Sequence, residues 1–250
     1  MNHEDMCLSP SSEYLTAVRE LMETASRSEA ETIRQASTVV AEAFERDGML
    51  YVFGSGHSHI FAEEAFYRAG GSARICPVLQ PSYMLHVSAQ RSTELERENG
   101  HAASILDHYP IQDGVDVMLV VSNSGSNALP IEVAALAKAR GLTVIAITSV
   151  EYARSTTATG PRLHDIADIV LDNHCPPGDA LVSLGYNLPR VGPGSSVIGI
   201  SLMNAVIVEA ISRQVANHSD PAIYLSAGMP GAAEHNRELA DRFRSRIPHV

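Results

Sequence analysis

The chain has 250 residues, enough for one sizeable domain or one with an appendage, and its 45% hydrophobic content supplies a full core. A net charge of −11 argues against a nucleic-acid surface, which needs a basic patch. Of the 18 cationic residues only Lys138 is a lysine, which excludes a Gly-Lys phosphate loop and leaves pyridoxal or Schiff-base chemistry without a suitable amine.

The opening Met1-Asn2-His3-Glu4-Asp5 is polar and acidic, so no signal peptide is expected. Cys7, Cys76 and Cys175 are odd in number and widely spaced, and read as reduced thiols of a cytoplasmic protein. Ser9-Pro10 suits a helix start, with Ser as N-cap and Pro at the first position. A helical pattern runs from there to about Glu45, divisible at Ser26–Ser28, and Asp47-Gly48 ends it. Strand and helix patterns then alternate. The expected strands are Met49–Phe53, Arg74–Leu79, Asp116–Ser122, Leu142–Thr148 and Ala167–Asp172. They are apolar runs without alternation, as strands covered on both faces should be. The expected helices are Ser58–Ala69, Thr93–His108, Ala128–Arg140 and Ser195–Ala216, with loops at Tyr152–Arg162 and Cys175–Gly194. The apolar stretch Val197–Ile211 is interrupted by Gly199, Ser201, Asn204 and Glu209, and reads as too short and too polar for a bilayer span. The pattern predicts an α/β fold, a doubly wound five-stranded parallel sheet with an N-terminal helical arm. It divides into an arm (1–46), a core (47–218) and a tail with a helix packing on the core or on a partner subunit (219–250).

Two short loops leave strands through small hydroxyl and glycine residues. The first is Gly54-Ser55-Gly56-His57-Ser58 and the second Ser122-Asn123-Ser124-Gly125-Ser126-Asn127. A strand that turns this way into a helix N-terminus points backbone N–H groups outward and adds the helix dipole, which makes an anion pocket. The first loop is not a dinucleotide fingerprint: His59 stands where a third glycine belongs, and Pro77–Gln80 offers no carboxylate for a ribose. Two such pockets on one sheet suggest a ligand with a phosphate and several hydroxyls.

These loops, with the stretches 53–71, 122–134 and 231–247, resemble the SIS (sugar isomerase) domain family, in a bacterial phosphosugar-binding and isomerase subgroup. The resemblance covers roughly Met49–Ala216. It implies a flavodoxin-like SIS fold, a homodimer or homotetramer with sites near the interface, and a sugar-phosphate ligand. It also implies that Ser122, Ser124 and the Ser126/Asn127 pair hold the phosphate, together with Asn123 and Gly125 of the same loop. Ser55 and Ser58, flanked by Gly54 and Gly56, then face the sugar chain.

Isomerisation of a phosphosugar needs a base that shuttles a proton between adjacent carbons, and a polar group at the carbonyl oxygen. Glu64 is one candidate base, although it is also placed for an ion pair with Arg68. By ungapped count Arg68 stands where phosphoheptose isomerases and muramate etherases of the family hold a catalytic glutamate. Glu94, Glu96 and Glu98 crowd the third helical pattern, and Glu98 is the preferred second candidate. His57, His86 and His235 are the candidate assisting groups. His57 and His59, at a helix start, diverge by about 200°, so no metal site is expected. His174 and Cys175 are adjacent on an extended chain and point to opposite faces, so they do not form a nucleophile–base pair. The expectation is a cofactor-independent aldose–ketose isomerase, with no nucleic-acid or membrane partner. The alternatives are an etherase-like lyase or a non-catalytic phosphosugar-sensing regulator.

Overall fold

The computed structural model describes residues 9–250, so Met1–Asp5 and Cys7 lie outside the described residues. Helix α1 (Pro10–Ser28) is capped by Ser9, whose hydroxyl accepts from the Ser12 N–H, and Glu29 separates it from α2 (Ala30–Glu45). There follow β1 (Leu50–Gly54), α3 (Ile60–Ala65), β2 (Ile75–Val78), α4 (Ala89–Leu95), α5 (Ala102–Leu106), β3 (Val117–Val121) and α6 (Ala128–Ala139). The second half contributes β4 (Thr143–Thr148), α7 (Val150–Ser155), α8 (Leu163–Ile166), β5 (Ile169–Asp172), β6 (Ala180–Val182), β7 (Val191–Pro193), α9 (Ser195–Ala216) and α10 (Ala232–Phe243).

The main sheet is five-stranded and parallel, in the order β2-β1-β3-β4-β5. Successive side chains of a strand point to opposite faces, so the apolar runs feed two cores at once. Tyr51, Phe53, Met118, Val120, Val144 and Ala146 face α6 and α10. Leu50, Val52, Leu119, Val121, Ile145 and Ile147 face α2 and α9. Within α2 the buried Ala36, Val40, Ala43 and Phe44 recur at helical spacing, so this helix is a layer of the core. Helix α9 has 22 residues and by length and composition is apolar enough to cross a membrane, contrary to the reading of its interrupted stretch. Its face bearing Ile198, Leu202, Met203, Val206 and Ala210 is instead buried in the same core as α2.

Some boundaries differ from those expected. The pattern Thr93–His108 is two helices, because the chain turns through Gly100 at φ 91°. The Glu132 carboxylate of α6 accepts from the Gly100, His101 and Ala102 N–H groups there, capping α5 from outside. The helix expected at Ser58–Ala69 is confined to α3, preceded by a 3-10 turn over Gly56–His59 and ended at Phe66. The stretch Tyr152–Arg162 begins inside α7, and Cys175–Gly194 contains the antiparallel pair β6–β7.

The C-terminal segment docks on its own core through one buried charge. Asp116, at the start of β3, is 2% exposed. Its oxygens accept from the Met49 N–H (2.8 Å), the Gln112 N–H (2.6 Å) and the Arg246 guanidinium (2.8 Å to each oxygen). Arg74 lies over the Phe243 ring at 4.9 Å and extends the dock. Asp116→Ala leaves two backbone donors and a guanidinium without partners. It is expected to lower the unfolding free energy by about 3–5 kcal/mol in urea titrations, far more than Arg91→Ala on the surface.

Candidate active site

The strand order reverses between β1 and β3, the place where open α/β sheets bind ligands beyond the strand carboxyl ends. Gly54 pairs with Val121, so the two loops emerge side by side at the same height. A Cβ at Gly54 would sit 2.3 Å from the Ser58 carbonyl oxygen, so the first loop can close only on glycine. Gly125 has φ 56°, and a Cβ there would meet Thr148 Oγ1 at 2.8 Å.

The second loop is anchored from below and open above. The Asn123 carbonyl accepts from the Ser149 N–H at 3.1 Å, and its side-chain oxygen accepts from Asn173 at 2.9 Å. The Ser126 hydroxyl donates to the Ser124 hydroxyl at 3.3 Å. Among the described residues, the N–H groups of Ser124, Ser126, Asn127 and Ala128 bond to nothing else in the chain. They crown the first turn of α6, where the helix dipole favours an anion.

The two loops wall a cleft of about 490 Å³ that includes Ser55, Gly56, His57, Ser58, Ser122, Asn123, Ser124, Ser126 and Asn127. Two carboxylates line it, Glu96 and Asp179, and Glu96 is the one beside the first loop. Ser55 Oγ donates to Glu96 Oε2 at 2.9 Å, and the Glu96 carbonyl accepts from the Leu129 N–H at 3.0 Å. Burial pushes the Glu96 carboxyl above its ordinary pKa, against the Ser55 hydrogen bond, the Arg97 charge and Asn127, which pull it down. Arg97 lines the same cleft and makes no ion pair among the described residues. It also lines an adjoining lobe of about 630 Å³ bordered by the Thr156–Thr159 loop.

Of the expected acid–base residues, only His57 lines the cleft. Glu98 lies beyond the end of α4, its oxygens 3.6 Å from Arg91 and 3.2 Å from His101. Glu64 is taken up by its ion pair with Arg68. His86 is exposed, its ring 6.2 Å from that of His59, and the His235 ring bonds the Ile223 carbonyl at 2.8 Å on α10. The cleft thus holds Glu96 and His57, while Glu98, Glu64, His86 and His235 lie outside its lining. His59 turns back to the Gly56 carbonyl and faces Glu63 at 3.7 Å, so it does not converge with His57. His174 bonds Glu29 at 3.0 Å, and burial pushes the neighbouring Cys175 thiol up to about 12.

Glu96 was legible in principle. It follows the buried Leu95 and lies four residues after the buried Ser92, on the inward face of α4. Glu94 and Glu98 lie on the outward face, with Arg91. Thr93, Arg97, Tyr152, Thr156 and Asp179 also reach the cleft, from elements that carry no loop motif.

A family model described as SIS domain matches residues 13–149. A UPF0309 protein of Brucella canis is 45% identical over 218 residues, which are 87% of this chain and 89% of the relative. A UPF0309 protein of Brucella abortus strain S19 is 44% identical over the same shares. Among solved structures, a phosphoheptose isomerase from Neisseria gonorrhoeae shares the fold, with a TM-score of 0.50 and 17% identity over 82% of this chain and 96% of that one. The chain belongs to the SIS domain family.

A carboxyl whose folded pKa is raised adds stability at low pH and loses it as pH rises through that value. Glu96→Gln is therefore expected to raise Tm at pH 7. The gain should vanish below the ordinary glutamate value of 4.5, where the native carboxyl is protonated in both states. Thermal unfolding across pH measures this, and a Tm unchanged at pH 7 contradicts the burial of a charge.

Proposed function

We propose that this SIS-domain protein binds a sugar phosphate in the β1/β3 cleft and interconverts its aldose and ketose forms, with Glu96 as the proton carrier. The observation that carries the reading is the half-buried Glu96 carboxylate, held by Ser55 across from the open N–H groups of the second loop.

The phosphate takes the Ser124, Ser126, Asn127 and Ala128 N–H groups and the loop hydroxyls, with Arg97 as the nearby positive charge. The sugar chain then runs toward the first loop. Glu96 removes the proton from C2 of the open-chain aldose, and the C2–H electron pair forms the C1–C2 double bond of an enediolate. The same carboxyl returns the proton to C1. The hydroxyl proton moves from O2 to O1, with His57 as the neighbouring polar group. A pKa raised by burial suits this role, because it brings the carboxyl closer to the pH at which it must both take and return a proton.

Elimination of a C3 substituent would call for a second free carboxylate. The other carboxylate on the cleft wall is Asp179. It is engaged in capping α9, accepting from the Ser195 N–H at 2.8 Å, the Ser195 hydroxyl at 2.7 Å and the Gly194 N–H at 3.1 Å. That supports the isomerase reading over the lyase reading. We also take from the resemblance that the unit is a homodimer or homotetramer.

A thermal-shift panel of hexose, amino-sugar and heptose phosphates should return at least one stabilising ligand. Ser124→Asp should remove the stabilisation, because its charge opposes the phosphate. With that ligand, Glu96→Gln is expected to slow exchange of the C2 hydrogen with deuterated solvent by about 10²–10⁴-fold while binding persists. Glu98→Gln should exchange at the native rate; the reverse pattern moves the base to Glu98. The acid limb of the rate profile should lie above the range of exposed glutamates. Ser55→Ala should move it higher still, since the lost hydrogen bond favours the ionised form.

A further inference from the structure

A second cavity, of about 540 Å³, lies where α10 and the last residues close over the segment between α3 and β2. None of its lining residues lines the cleft. Its size falls within the usual range for small-molecule sites.

Its wall is aromatic and held rigid. The rings of Phe66 and His249 are 6.4 Å apart, and those of Phe66 and Tyr67 are 5.8 Å apart. His249 is fixed by a 3.0 Å hydrogen bond with the Tyr109 hydroxyl, which also donates to the Leu79 carbonyl. Two features of this wall are costly to the protein alone. Tyr67 has φ 47°, a left-handed conformation that disfavours a bulky side chain, and its ring is 51% exposed. The ring of Tyr224 stands 4.8 Å behind it, and the Tyr224 hydroxyl is buried without a hydrogen-bond partner. The backbone holds this arrangement in place, since Tyr224 exchanges bonds with the Gly70 and Gly71 backbone at 2.9 and 3.0 Å.

The rim is cationic. Arg244 lines the cavity, bonded to Asp241 at 2.8 Å and to the Val250 carbonyl at 3.1 Å. Arg237 lines it with no hydrogen bond or ion pair among the described residues. A purely apolar occupant leaves the Arg237 guanidinium unused, and a bare anion leaves the rings unused. A flat ring carrying an anion uses both.

We propose that this cavity binds a mononucleotide, with the base against Phe66, Tyr67 and His249 and the phosphate at Arg237 and Arg244. The site shares no lining residue with the β1/β3 cleft.

Titration calorimetry of the full chain with AMP tests this. One saturable site is expected, with adenosine and inorganic phosphate each binding at least about tenfold more weakly. Tyr67→Gly removes the ring while suiting the left-handed backbone, and Arg237→Ala removes the free cation. Each should weaken AMP about tenfold. Ser124→Asp, which blocks the cleft, should leave AMP binding unchanged. Absence of saturable binding by both AMP and UMP overturns the proposal. So does AMP binding that Ser124→Asp abolishes, which places the nucleotide in the cleft, or binding that neither Tyr67→Gly nor Arg237→Ala weakens.

Discussion

The register between β1 and β3 governs the rest of the molecule. Leu50 pairs with Val117 and Gly54 with Val121, so both strands end at one level and their loops rise together. Strands β1 to β4, buried on both faces, make that register hard to shift, because a slip of one residue exchanges the Tyr51 face for the Val52 face. The Asp116 carboxylate reinforces it from the opposite end by tying the start of β3 to Met49, just before β1, and to Arg246 in the tail. A site made of two turns needs such a frame, since a turn keeps its backbone N–H groups aimed only if its ends are fixed.

The chain has a net charge of −11, yet we propose an anion as the ligand of its cleft. Backbone N–H groups resolve that conflict locally. They carry partial positive charge, do not titrate and are fixed by the fold, so the site does not depend on the overall potential. The one guanidinium on the wall, Arg97, follows Glu96 directly in sequence, and its charge lowers the Glu96 pKa while the desolvated position raises it. Cation, carboxylate and N–H groups are thus set by two anchor points: the end of α4 and the start of α6, joined by the Glu96 carbonyl and the Leu129 N–H.

Much of this was legible in the residues, for identifiable reasons. The five strands read correctly because continuous apolar runs of four to six residues have few other uses. The two loops read correctly because each glycine answers a specific steric demand. That the cleft would receive Glu96 rather than Glu98 was not legible, because a single helix was expected across Thr93–His108. Along such a helix three glutamates at alternate positions look equivalent, whereas the real helix stops at Leu95 and only Glu96 turns inward. The break itself depends on a carboxylate from another element, Glu132 on α6, so local sequence does not reveal it. The placement of His235 was hidden for the same reason, since the residue it bonds, Ile223, lies outside its own helix.

The arginine at position 68 then becomes intelligible. In the resemblance to phosphoheptose isomerases and etherases a glutamate is expected there, on the helix leaving the first loop. Here α3 ends at Ala65 and the chain turns away through Phe66 and Tyr67, so position 68 does not continue a helix toward the cleft. Arg68 pairs with Glu64 instead, at an exposed site where neither group meets the ligand. An acid at position 68 would lose the ion pair that Arg68 makes with Glu64. In the function we propose, the proton carrier comes from another element that reaches the β1/β3 crevice. The end of α4 is suited to that, because the Glu96–Leu129 backbone bond fixes it to the start of α6, where we place the phosphate. The proposed proton carrier and phosphate grip are thereby held at a constant separation, which a carboxylate on the shortened α3 would not share.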